Sequence, residues 1–189
     1  MKEVLERFSK KHCKKEIFYN LCFCLMAPQT TFSKNIKVIE VLKKRDFYNE
    51  NISRIELEKI VKPTRFFRNK AGYLLEMKEN FSSILDILYQ EQDSKILRNS
   101  LVEKIKGMGM KAASHFLRNM GYRDLAIIDV HILRYMGVNP KEFTSKKSDY
   151  IYLEDRFIKI AEEKNISVAE LDAIIWADYS GTEMKDFVY

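Results

Sequence analysis

Two side chains in this sequence have the type, flanks and spacing that chemistry requires: Lys111 and, eighteen residues on, Asp129. Lys111 directly follows the glycine-broken stretch GMG and falls on the first turn of an expected helix. A cation there opposes the helix macrodipole, so local structure alone does not justify it. Gly107 and Gly109 permit a tight turn with close backbone approach. Free amides at the start of the second helix then face outward, where they can seat a phosphate oxygen. Such a contact positions a nucleic-acid backbone without reading bases. A plain helix–helix corner with no ligand accounts for the same two glycines. Beside outward amides, in a partly dry site, an ammonium is disfavoured and its pKa is expected to fall. A neutral lysine amine attacks carbon of carbonyl or hemiacetal character and forms a Schiff base, and C1′ of a nucleotide is such a carbon. Lys111 serves equally well by neutralising a phosphate. Its position leaves both roles open.

Asp129 follows the apolar run AII and is the expected N-cap of the next helix. A capping carboxylate keeps one oxygen available. That oxygen can stabilise positive charge on a sugar as a base departs, or move protons to and from an amine. His131 either faces a phosphate or orients the loop. His115 lies four residues beyond Lys111 on the same helical face, with Arg118 close to that stripe, and both read as supporting or backbone contacts.

The elements that must position these groups are helices, and the expected fold class is all-α. The 189 residues contain only three prolines and six glycines, and strand-like alternation is scarce. Helices are expected near 2–12, 15–26, 33–43, 54–61, 83–90, 94–98, 129–137, 147–164 and 168–179, with helical spacing also through FFRNKAGYLLEMKENF. Ser53–Glu56, Ser100–Glu103 and Ser167–Glu170 read as capping boxes, each opening a helix. Pro63 restricts its predecessor and ends the helix before it. Around the proposed chemistry, SLVEKIKGMGMKAASHFLRNMG reads as helix, two-glycine turn, helix.

Hydrophobic residues at 46% mark a globular chain, and Lys plus Arg exceed Asp plus Glu by 33 to 27, a formal +6 that favours an anionic partner. Cys13, Cys22 and Cys24 supply neither a four-ligand metal site nor a disulfide framework, which implies a reducing, cytoplasmic location. The charged, periodic N-terminus is unlike a signal peptide, and LCFCLMA is too short to span a membrane.

The stretch KGMGMKAASHFLRNMGYRDLAIIDVHIL resembles the helix–hairpin–helix DNA glycosylase superfamily, and within it the archaeal, type-2 branch of 8-oxoguanine DNA glycosylase/AP lyases. NLCFCLMAPQ, RFFRNKAGY and LDAIIWADYSGTEMK extend the resemblance over nearly the whole chain. It implies a two-lobed fold with the active site in the cleft between lobes, one comprising roughly 28–125 and the other 1–27 with 126–189. It implies that Lys111 is the Schiff-base nucleophile and Asp129 the essential carboxylate. Trp176 then belongs to the pocket that holds the damaged guanine, Asp178 helps order that pocket, and Gln29 and His115 are base-pocket or DNA-facing. Gly107, Gly109, Met110 and His131 become contacts to the DNA backbone. In the family the chain ends near a lysine after a TG-containing turn, with the terminal carboxylate close to the base. Here DFVY follows Lys185, a departure that bears on base preference.

The reaction implied is excision of 8-oxoguanine from duplex DNA, then β-elimination that cuts the strand 3′ to the abasic site. The expected partner is double-stranded DNA carrying an oxidised base, met by a monomer associated with the nucleoid. No metal or organic cofactor is expected. The absence of cysteine after Cys24 rules out the four-cysteine iron–sulfur loop of some relatives, although carbonyls at the hairpin turn are able to hold one structural ion. Two alternatives share these residues: a glycosylase/AP lyase for oxidised pyrimidines, and a non-catalytic hairpin module that binds DNA. Around the site, Arg65, Phe66, Phe67, Arg68 and Lys70 interleave basic and aromatic character. They form either a DNA-facing surface or aromatics packed between helices beneath solvated charges. Asp172 is expected to be solvated.

Overall fold

A computed structural model of the chain describes residues 12–91, 93–144 and 146–180. The helix expected over 2–12 and the tail beyond Ser180 lie outside these residues, apart from His12, which is not helical. Among the described residues, ten helices span Lys14–Met26 (α1), Phe32–Lys44 (α2), Arg54–Val61 (α3), Phe67–Glu79 (α4), Phe81–Gln90 (α5), Ser94–Lys104 (α6), Met110–Asn119 (α7), Val130–Tyr135 (α8), Lys147–Glu163 (α9) and Val168–Ser180 (α10). Among the described residues there is no strand, and no helix is long and apolar enough to cross a membrane.

Local caps set several of these boundaries. Ser53 Oγ accepts from the Glu56 amide at 3.3 Å and opens α3. Ser167 and Glu170 form a complete reciprocal box. Ser167 Oγ accepts from the Glu170 amide at 3.2 Å, and Glu170 Oε2 accepts from the Ser167 amide at 3.0 Å. The box expected at Ser100–Glu103 opens nothing, because both residues lie inside α6. Asp93 starts that helix instead, with Oδ1 accepting from the Lys95 and Ile96 amides at 2.9 and 2.8 Å. Asp93 satisfies two orphan amides before Ser100 is reached, so the helix is already running there.

The fold resolves into two compact units, one holding His12–Phe116 and the other the described residues from Leu117 onward. The boundary falls inside α7. Boundaries were expected near 28 and 126, and the difference at the N-terminal end is α1. Nine of the ten residues from Ile17 to Met26 are buried on that helix, all but Asn20. A helix apolar on every side needs neighbours all round. It packs against α2 and α4 in the first unit. Phe18 anchors an aromatic cluster there, with Phe81 5.1 Å and Tyr48 5.3 Å away in edge-on geometry.

In the second unit, α10 packs against α8 and α9. The segment Leu125–Ile128 is buried but not helical, so its backbone groups need partners. Helix α9 supplies partners for three of them. Glu154 Oε1 accepts from the Ala126 amide at 3.1 Å. The Tyr150 hydroxyl accepts from the Ile128 amide at 3.2 Å and donates to the Ala126 carbonyl at 2.7 Å. This segment delivers the chain to Asp129.

Candidate active site

In the first unit, the hairpin turn joins α6 to α7. Gly107 has φ +85°, and a Cβ built there would stand 2.2 Å from Cδ2 of Tyr73. Both the backbone angle and the ring forbid a side chain. Gly109 is different: its φ is not in the left-handed region, and a Cβ there would meet nothing within 4 Å. It occupies the N-cap position of α7, where its carbonyl accepts from the Ala113 amide at 3.0 Å. The fold does not require glycine at 109, and the open space lies beside the unsatisfied first-turn amides of α7. Gly107→Ala is expected to cost about 2–4 kcal/mol and Gly109→Ala no more than about 1 kcal/mol, read by chemical denaturation.

Lys111 is exposed on the first turn of α7, while Met110 is buried and offers the turn only its backbone. Ala112, Ala113, Ser114 and Phe116 fix the buried face of the helix. Beneath Ser114 lies Arg98, 1% exposed, whose Nη1 donates to Ser114 Oγ at 3.2 Å. His115 is half-buried, with its ring edge-on to Phe23 at 5.7 Å.

The loop after α1 carries Gln29. The Thr30 amide donates to the Ala27 carbonyl at 3.1 Å, and Gln29 sits exposed within the turn at φ +53°. Lys70 on α4 reaches this loop. Its Nζ donates to the carbonyls of Met26 and Pro28, both at 2.8 Å, and to Thr30 Oγ1 at 2.7 Å. Burial pushes its ammonium down to about 8, which leaves it charged at neutral pH. Lys70 therefore departs from both expected arrangements, since it faces neither a partner nor water. Of its neighbours, Phe66 is 53% exposed at φ +59° with the Arg65 guanidinium 5.0 Å from its ring centroid, and Phe67 is half-buried.

In the second unit, Asp129 caps α8 as expected. Its Oδ1 accepts from the His131 amide at 2.8 Å and the Ile132 amide at 3.0 Å. Both capping bonds use the same oxygen, so Oδ2 is not spent on them. The side chain is half-buried. The His131 ring lies 6.2 Å from that of Tyr179, and its Nδ1 is buried with no hydrogen-bond partner among the described residues. Trp176 is half-buried on α10, and Asp178 is exposed.

Asp172 overturns an expectation. It is 4% exposed instead of solvated, and its Oδ2 lies 3.4 Å from Nη1 of the buried Arg118. The apolar neighbours Leu171, Ala173 and Ile175 carry that part of α10 into the core and take Asp172 with them. Burial pushes the Asp172 carboxyl up to about 7, Arg118 opposes the shift, and the nearby charge of Asp129 adds to it. The folded state thus keeps a proton that the unfolded chain releases near the ordinary value of 3.8. Stability from this site is complete below 3.8 and is lost as pH rises through about 7. Asp172→Asn cannot ionise. Between about pH 5 and pH 8, wild type is expected to lose on the order of 2 kcal/mol relative to that variant, read from denaturation curves.

Comparison with known proteins adds identity to this geometry. The family model described as 8-oxoguanine DNA glycosylase matches residues 1–166. The chain belongs to the 8-oxoguanine DNA glycosylase family. It is 36% identical over 184 residues to the 8-oxoguanine DNA glycosylase/AP lyase of Methanocaldococcus jannaschii, covering 93% of this chain and 86% of that one. The crystal structure of the M. jannaschii 8-oxoguanine glycosylase/lyase in complex with a 15mer DNA containing 8-oxoguanine aligns with a TM-score of 0.85 at 34% identity. That alignment covers 96% of this chain and 89% of the relative. The 8-oxoguanine DNA glycosylase of Thermotoga maritima aligns at 0.83 and 26% identity, with the same two coverages. The family's fold is thus the all-α architecture found here. Lys70 in the first unit, and Arg118, Tyr150, Glu154 and Asp172 in the second, shape the elements that carry candidate residues and were not singled out for that work by the sequence. The available signals were an aspartate inside the apolar run LDAIIW and a tyrosine and glutamate four residues apart on α9.

Proposed function

We propose that this chain removes 8-oxoguanine from duplex DNA and then cuts the strand 3′ to the resulting abasic site. The observation that carries the reading is family membership together with an exposed lysine on the first turn of α7, beside an open glycine turn. The amides near Gly107, Gly109 and Met110, with His131, hold phosphates of the damaged strand. If they do, Gly109→Ala weakens duplex binding roughly tenfold while the fold persists, because its methyl group occupies the space a phosphate would take. The damaged nucleotide leaves the stack at a cost of a few kcal/mol. Trp176 and Asp178 line the base pocket, Gln29 faces the DNA, and His115 supports the hairpin helix from Phe23.

Asp129 stabilises the cationic sugar as the bond from C1′ to the base breaks, with the electron pair leaving on the base. The Lys111 amine bonds to C1′. The sugar ring then opens at its C1′–O4′ bond to give a protonated Schiff base. Loss of a C2′ proton pushes electrons into a new C2′–C3′ double bond, and the 3′ phosphate departs. The partner is duplex DNA carrying an oxidised base, and the chain acts as a monomer in the cytoplasm, at the nucleoid.

Single-turnover assays on duplexes carrying 8-oxoguanine opposite cytosine, an oxidised pyrimidine, or no lesion test the substrate. Release of base and strand cleavage on the first duplex alone are expected. Action confined to the pyrimidine duplex would keep the mechanism and reject the substrate. Binding without release from any duplex would reject the enzyme.

A further inference from the structure

We infer that Lys70 is a positioning residue whose buried ammonium ties down the loop after α1 and thereby presents Gln29 to the DNA. This rests on the reading of Gln29 as DNA-facing. Lysine is almost never fully buried unless paired, because removing an ammonium from water is costly. Lys70 is 4% exposed, yet its three acceptors are two carbonyls and a hydroxyl. These use all three N–H bonds of the ammonium. The acceptors belong to Met26, Pro28 and Thr30, residues that bracket Gln29 on both sides. Met26 also ends α1, where an orphan carbonyl and the negative end of the helix dipole favour a cation.

A second feature of the same loop points the same way. Pro28 followed by a residue at positive φ has the pattern of a type II turn, in which glycine suits the second central position. That position holds Gln29 at φ +53°, a left-handed region that a side chain disfavours. Its side chain is exposed, so the loop gains nothing from it that glycine would not supply. A buried cation and a strained glutamine sit in one turn. Both are accounted for when the turn serves to hold that glutamine out towards a partner.

The test is a double-mutant cycle in single-turnover excision from the 8-oxoguanine duplex, using wild type, Lys70→Gln, Gln29→Ala and the double variant, with thermal melts of each. Each single change is expected to raise the half-saturating enzyme concentration about tenfold, with the rate at saturation within about threefold of wild type. The double variant is expected to be no weaker than the weaker single variant. A purely structural role for Lys70 does not produce that coupling. Multiplied effects, about 100-fold in the double variant, would overturn the positioning role. An unchanged half-saturation in Gln29→Ala would instead overturn the reading of Gln29 itself, and inactive wild type would overturn the glycosylase reading. If Lys70→Gln does not fold, Thr30→Val deletes one acceptor and keeps the charge. A roughly threefold weakening that vanishes in the Gln29→Ala background supports the proposal, and one that persists there overturns it.

Discussion

Asp129→Asn is expected to keep the fold and lose the reaction. The capping bonds to the His131 and Ile132 amides need only one acceptor oxygen, which asparagine retains, and asparagine and aspartate cap helices about equally well. The melting temperature should therefore stay within about 2 °C of wild type. The charge is what disappears. A carboxylate that stabilises a developing sugar cation contributes roughly 10²–10⁴-fold, so base release should slow by that factor at saturating enzyme in single-turnover assays. Asp129→Ala removes the cap as well and should lose about 1 kcal/mol of stability on top of the same kinetic defect. If Asp129→Asn excised base within about threefold of wild type, capping would be the whole of this residue's work.

Lys111→Gln is expected to abolish strand cleavage, with a loss of at least about 1000-fold in single-turnover assays on an 8-oxoguanine duplex. The change has little structural cost, because the side chain is exposed and its cation opposes the dipole of α7. Stability should be unchanged or slightly higher. The competing role, neutralising a phosphate, makes a different forecast. Loss of one phosphate contact weakens binding and lowers the slope of log affinity against log salt by about one, while cleavage at saturation persists. Salt titration of wild type and variant beside the cleavage assay separates the two roles.

The parts of this protein legible in the sequence are those decided locally. Caps at Ser53, Ser167 and Asp129 announce their helices because the acceptor and its amide lie within three residues of each other. The GMG turn and Lys111 stand out for the same reason. What the sequence left unread depends on partners distant in the chain. Lys70 and the carbonyl of Met26 are 44 residues apart, and Arg118 and Asp172 are 54 apart. A lysine among basic and aromatic residues gives no local sign of being buried, and an aspartate on a helix reads as solvated until its apolar neighbours are seen to face the core. The Ser100–Glu103 pair failed for a different reason: a capping pattern inside a helix that already has a better start carries no information. Distance in the chain also hid Tyr150 and Glu154, whose partners lie on a buried segment that only tertiary packing brings to them.

The proposed reaction turns on a covalent bond between the Lys111 amine and the sugar that loses its base. Borohydride reduction during reaction with the 8-oxoguanine duplex tests this directly, because it converts a Schiff base into a stable amine. The adduct is then digested and its attachment site mapped by mass spectrometry. A covalent protein–DNA species whose modified peptide contains Lys111 is expected in wild type and is absent from Lys111→Gln. A trapped species of equal yield in Lys111→Gln, or an adduct mapping to another lysine, would contradict it.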